Sequence, residues 1–367
     1  MSTQIPFRHL TLAAAIALGA TLSLPVNAQT LAKGGATADP MLEERAPTRS
    51  ELVAMLDKAL PRAIGDDNSK LVGSMLSAEL GKPLGETFDP KRVIGALFNG
   101  QRASFGPDCG PGPDGSCTVS SGEIDGDGAY LELSFSNRPQ DGEIVFIARP
   151  PQRKLTPKDI VPVEMDEREA LERAMDLLGG TIGLPLSEIA QIPDKAVRGL
   201  VLGWTEPDLG IDQQVTVARL VALPRTLMVP GVGPVAAPGY AKVLLDDGKD
   251  GPPVKQVSIQ DWADLRPHHA AQPRNAKGRA ELIDEIAGDI LTGDPGQVSD
   301  IIAQLQLIAV PDEHHALIVP AVRIAIVPLP DETIAPKDGE ATAPSSAIEI
   351  RDYELVRLEE TFGDEEG

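Results

Sequence analysis

Aromatic residues make up only 3% of this 367-residue chain, cysteines number two, and 33 Lys and Arg face 55 Asp and Glu. Each shortage removes a class of partner or fold. A net charge of −22 repels phosphate backbones and anionic bilayer surfaces, so neither nucleic acid nor a lipid face is expected. Beyond the N-terminus no stretch approaches the roughly eighteen uninterrupted apolar residues of a membrane span, and the mature chain is expected to lack a transmembrane segment. The thin aromatic content does not mean disorder. Hydrophobic residues still reach 42% beside 35 Gly and 33 Pro, which fits a core of Leu, Val, Ile and Ala.

What is present begins with MSTQIPFRHLTLAAAIALGATLSLPVNAQT: Arg8 and His9, an apolar run from Leu10 to Leu24, then Val26-Asn27-Ala28. That order is a secretory signal peptide over residues 1–28, and it predicts a periplasmic or extracellular protein. Neither cysteine lies near the cleavage site, so no N-terminal lipid is expected. Residues 29–47 lack apolar periodicity and read as a flexible leader; residues 361–367 form an acidic tail.

Cys109 and Cys117, eight positions apart in a Pro-Gly loop of an exported chain, predict a structural disulfide. The missing C-x-x-C spacing argues against a redox pair. All four downstream histidines come as adjacent pairs, His268-His269 and His314-His315, the second behind Asp312-Glu313. His314 and His315 are candidates for Zn²⁺ or Cu²⁺, but neighbours on a strand point to opposite faces, and solvated loop residues are the expectation. Asp125 and Asp127, after Glu123, match the front half of a calcium loop whose twelfth position is Ser134 and carries no carboxylate. A turn into the next strand is therefore expected there. No G-x-S-x-G, H-E-x-x-H or Gly-rich phosphate loop occurs, so no catalytic residue, metal or cofactor is assigned.

Periodicity organises the remainder into an N-terminal region over 48–155 and two later units over 165–267 and 278–360. The first region predicts helices from Thr48 to Pro61, Ser69 to Leu80 and Pro90 to Leu97, the disulfide loop, and a hairpin of 130–135 with 144–149. The second opens on the helix MDEREALERAMDLLGG, stopped at Gly179-Gly180, followed by strands at Val197–Trp204, Val215–Leu223, Val235–Leu245 and Gln256–Trp262. The third repeats the order, with a helix at Arg279–Leu291 and strands at Ile301–Val310, Ala316–Val327 and Ala347–Leu358.

The likeness extends to residues. Leu220-Val221-Ala222-Leu223-Pro224 matches Leu307-Ile308-Ala309-Val310-Pro311; Ala241, Val243 and Leu245 match Ala325, Val327 and Leu329; Ile259, Asp261 and Trp262 match Ile350, Asp352 and Tyr353. The expected fold class is α+β: tandem helix-on-antiparallel-sheet modules forming an internal repeat, behind a helical and β-hairpin N-terminal region. In outline each unit resembles the cystatin-type or PepSY-type arrangement of one helix across an antiparallel sheet; no motif is shared, and a shared outline implies no function. The expected function is an exported, non-enzymatic protein- or peptide-interaction module of the cell envelope, presenting strand edges to an envelope or secreted partner. The competing class is an exported hydrolase with a site assembled from dispersed residues.

Overall fold

The structure is a computed structural model and describes residues 46–73, 76–79, 89–107, 109, 117–124, 128–136, 143–150, 160–189, 196–206, 211–249, 251–262, 264–267, 276–293, 298–311, 316–328 and 348–357. The signal segment, nearly all of the expected leader and the acidic tail lie outside that range. The protein is α+β and dominated by one large sheet.

Helix α1, Arg49–Ala59, starts where the sequence provides a reciprocal cap. The Thr48 hydroxyl accepts from the Glu51 amide, and the Glu51 carboxylate accepts from the Thr48 amide. Its C-terminal end and the turn after it are met from far along the chain: Arg279 donates to the carbonyl of Asp57 in the last turn and to those of Pro61 and Ile64 just beyond. Buried Asn68 adds a second tie, accepting from the Gly65 amide at 3.0 Å and donating to the Lys277 carbonyl at 2.8 Å.

The helix expected over Ser69–Leu80 is one turn, α2, Ser69–Val72, after which the chain becomes strand β1, Leu76–Glu79. A short apolar run has no period long enough to choose a state. Here the choice is made by neighbours, because β1 is inserted between two strands from the later sequence. Helix α3, Pro90–Leu97, does match its expectation. Asp89 caps it, Pro90 takes the first turn, and Val93, Ile94 and Leu97 face inward.

Strands β2, Ser104–Phe105, β3, Cys117–Ser120, β4, Tyr130–Ser136, and β5, Glu143–Arg149, form an antiparallel meander that contains the expected hairpin. Helix α4, Glu167–Met175, is capped by Asp166 and runs on as a π-helix over Asp176–Ile182. Gly179-Gly180 therefore does not stop it; the stop is Gly183, in the left-handed region at φ 96°. Gly179 serves close packing instead, since a Cβ there would meet the Leu186 side chain at 2.5 Å.

Strands β6, Val197–Glu206, β7, Ile211–Val229, β8, Gly233–Leu245, and β9, Val254–Gln260, form a second meander. Short β10, Asp264–Pro267, pairs with β1. Helix α5, Arg279–Thr292, then precedes β11, Val298–Pro311, β12, Ala316–Pro328, and β13, Glu349–Glu354. The described strands make one thirteen-stranded sheet, because β5 pairs with β9 and β8 meets β11 through the bridge Gln306 to Ala236. That bridge is parallel; the other strand pairs among the described residues are antiparallel.

Two large apolar cores lie against this sheet, beside a smaller cluster of Val72, Leu317, Val319 and Val356. The first gathers α3, α4 and its π-helical extension over β3–β5 and β7–β9, with Phe146, Leu133, Val243 and Ile259 fully enclosed. The second gathers α1 and α5 over β11–β13, with Leu56, Ile286, Val322 and Ile324 enclosed. Each such side chain contributes about 2 kcal/mol of apolar transfer. The long hairpin β7–β8 serves both, sending Val221 and Leu223 into the first core and Val229 and Val235 into the second.

Strand register compares the two later units directly. Ala241 pairs with Ile259, and their sequence counterparts Ala325 and Ile350 also pair. Leu223 pairs with Ala241, but its counterpart Val310 pairs with Leu317, eight residues short of Ala325. The β8–β9 and β12–β13 pairs thus share one rung assignment, while the LVALP and LIAVP stretches occupy different rungs.

Candidate functional site

Of the residues singled out by sequence, Cys109 and Cys117 are joined by a disulfide, with their Cα atoms 4.3 Å apart. Cys117 sits in the first core. Asp125, Asp127, His268, His269, His314 and His315 lie outside the described residues. Glu123 is described, and its carboxylate accepts from the Gly128 amide at 2.8 Å, which closes the turn before β4. Among the described residues no group of three or more His, Cys, Asp or Glu is placed to hold a metal.

Sequence reasoning missed the seam between the cores. Along β7 the alternate residues Val221, Leu223, Arg225, Leu227 and Val229 face one way, and Arg225 stands where the first core hands over to the second. It is 3% exposed. Its guanidinium donates from Nε to Glu188 Oε2 at 2.7 Å and lies 5.4 Å from the ring centre of Trp262. The ladder breaks at the same point: Pro224 pairs with Tyr240 and Thr226 with Ala236, so three residues of β8 oppose Arg225. One of them, Gly239, has φ +117°, and a Cβ on it would come within 3.0 Å of the Asp261 carbonyl and 3.1 Å of Arg225 Cδ. The bulge swings the hairpin from β9 to β11, with the charged pair at its elbow.

The aromatic residues matched in sequence both close a core. Trp262 is 1% exposed in the first, and its indole Nε1 has no hydrogen-bond partner. Tyr353 is buried in the second, and its hydroxyl donates to Asp289 Oδ2 at 2.6 Å, where Arg351 also donates at 2.7 Å. Burial, and then the Asp289 carboxylate, push the Tyr353 phenol well above its ordinary value. The bond from Tyr353, followed by that from Arg351, holds the Asp289 carboxyl below its ordinary value. On the opposite face of β13, Asp352 receives a two-pronged bond from Arg323 and a third from Gln306.

The outer strands differ in kind. β13 is short and carries Glu349, Arg351, Asp352 and Glu354, the charge pattern that protects a sheet edge. β6 reads VRGLVLGWTE, with no charge between Arg198 and Glu206, and among the described residues it pairs only with β7. Its neighbours Leu200 and Val201 are 46% and 49% exposed. Successive strand residues point to opposite faces, so both faces are open there. The pairing of β7 with β8 starts at Arg219; beyond it the Val163 amide donates to the Thr216 carbonyl at 2.9 Å, and the β6–β7 rungs from Leu202–Val215 through Glu206–Ile211 run on as a two-stranded ribbon among the described residues.

No protein-family model matches this chain, and no curated protein does. Among solved structures, the crystal structure of an uncharacterized protein from Eubacterium rectale aligns at 8% identity over 77% of this chain and 83% of that one, with a TM-score of 0.39.

Proposed function

We propose that this chain is an exported, non-enzymatic binding protein of the cell envelope that holds another polypeptide by strand addition. The carrying observation is β6, a ten-residue strand that among the described residues pairs only with β7, has an uncharged middle, and is open on both faces at Leu200 and Val201. An outer strand presents a row of backbone donors and acceptors that an extended chain completes, while its side chains select the sequence. Export is supported by the N-terminal segment and agrees with the disulfide, a bond that persists in oxidising compartments. The two later units are read as descendants of one helix-and-strands segment, supported by the common rungs of Ala241–Ile259 and Ala325–Ile350 and by the aromatic that follows each. The LVALP match drops out of that alignment, leaving β8–β9 and β12–β13 as its basis.

The test is retention of an envelope-fraction partner on the immobilised protein, wild type against Leu200→Lys and Val201→Lys. A lysine on the edge leaves the fold intact, as circular dichroism will report, and lowers retention at least about tenfold. Equal retention by all three chains removes the assignment of β6.

A further inference from the structure

We infer that β6 pairs antiparallel with β6 of a second copy of this chain, centred on Leu202. This rests on the reading of β6 as a recognition edge and names its occupant. The sequence of the strand is complementary to itself when reversed. With Leu202 on a two-fold axis, Arg198 of each copy falls opposite Glu206 of the other, Leu200 opposite Trp204, and Val201 opposite Gly203. Both ends of the joint then bring opposite charges together, and each aliphatic Leu200 meets an aromatic residue, the cross-strand pairs that stabilise a sheet. A shift by one rung puts Arg198 opposite Thr205 and loses both charge matches.

The ribbon beyond the sheet supplies the second argument. Two strands alone are marginal in water, and three or more are needed for independent stability. The Val163 amide donates to the Thr216 carbonyl at 2.9 Å, but the rungs from Leu202–Val215 to Glu206–Ile211 have no third strand among the described residues. A second copy turns two such ribbons into one four-stranded sheet. β6 suits this because it is regular: the register break opposite it, between Leu200–Ala218 and Val201–Thr216, puts the extra residue, Val217, on β7. The contact is isologous and closes at two chains.

Analytical ultracentrifugation of the purified protein at micromolar concentration will show a dimer. Arg198→Glu weakens it at least about tenfold, because like charges then face each other at both ends, and adding Glu206→Arg restores it. Because Cys109 and Cys117 are bonded to each other, a new thiol reports register cleanly. Leu202→Cys oxidises to a covalent dimer, since residues directly opposite lie about 5 Å apart at Cα, within disulfide reach. Leu200→Cys does not, because its two copies are displaced by four residues, about 13 Å. A dimer indifferent to Arg198→Glu, or equal crosslinking at both positions, overturns the inference. A monomeric wild type that still loses its envelope partner on Leu200→Lys also overturns it and leaves strand addition standing; a monomer that loses nothing removes both.

Discussion

The two cores lie against one sheet and are closed by aromatic residues that match in sequence, Trp262 just past β9 and Tyr353 within β13, yet the second makes its closing residue a hydrogen-bond hub and the first does not. Tyr353 reaches out of its core to a carboxylate that an arginine also holds. Trp262 stays inside with its indole nitrogen unpaired, and the polar group nearby is Arg225, buried and tied to Glu188. The difference follows from position. β13 is an outer strand, so Tyr353 can carry its hydroxyl to the helix surface, whereas Trp262 packs beneath the β7 bulge and is sealed off. The polar demand of the first core therefore moves to the seam, where one ion pair must serve the elbow of a shared hairpin.

The sharpest way to break this comparison is to remove one member of the seam pair. Glu188→Ala takes the carboxylate away from a guanidinium that is almost wholly enclosed, and urea unfolding will show a loss of about 3 kcal/mol. Replacing both partners, Arg225→Met with Glu188→Leu, returns stability to within about 1 kcal/mol of wild type, because the buried charge goes as well. If Glu188→Ala unfolds like wild type, the pair is not what holds the elbow.

Next in size is the disulfide, which staples the first core and has no counterpart among the described residues of the second. Closing so short a loop restricts the unfolded chain by about 2 kcal/mol, so Cys109→Ser with Cys117→Ser lowers stability by that amount. Amide exchange locates the loss: β3 and β4 should open faster while α5 and β12 keep their protection. Uniform acceleration would mean that the cores unfold as one unit.

Much of this architecture was legible in the sequence. The Thr48–Glu51 box, the Asp89-Pro90 start and nearly every strand of the later units follow from caps and alternation, since those signals are local. The helix expected at Ser69–Leu80 failed because β1 is fixed by strands some 190 and 240 residues away, which no local pattern encodes. The seam left a trace that was misread. Alternation in RLVALPRTLMV runs through Arg225, but the proline and charge looked like the end of a strand that continues to Val229. Glu188 lies in a separate short turn, Leu186–Glu188, so its pairing with Arg225 appears only in three dimensions. The openness of β6 is likewise a property of the assembled sheet. Of the sequence matches behind the proposed repeat, Ala241–Ile259 and Ala325–Ile350 fall on like rungs whereas LVALP and LIAVP do not, because alternating Val-rich strands resemble one another at any even offset.

The aromatic pair separates the halves on a finer scale. Tyr353→Phe removes a hydroxyl bonded to a charged carboxylate and costs about 1.5 kcal/mol. Trp262→Phe removes ring volume and no hydrogen bond, and costs about 1 kcal/mol. Should Trp262→Phe prove the more damaging by a clear margin, its nitrogen has a polar partner and the contrast between the cores is lost.

The smallest effect concerns acid. A carboxyl whose folded value is depressed contributes stability that is present above its unfolded value, about 3.9, and is lost as pH falls through the folded value. Asp289 is such a group, through Tyr353 first and Arg351 second, and Glu281 is another, through Arg357. Both sit on α5, so lowering pH from about 4 toward 2 should loosen the second core by way of this helix. Solvent reaches Asp289, with half its side chain exposed, so the effect is modest and is best read as a difference between chains. In Tyr353→Phe the leading cause of the Asp289 depression is gone, so stability falls less steeply over that pH range than in wild type. Matching slopes in the two chains would mean that the hydroxyl does not hold this carboxylate in solution, and Tyr353 would then close its core by packing alone, as Trp262 does.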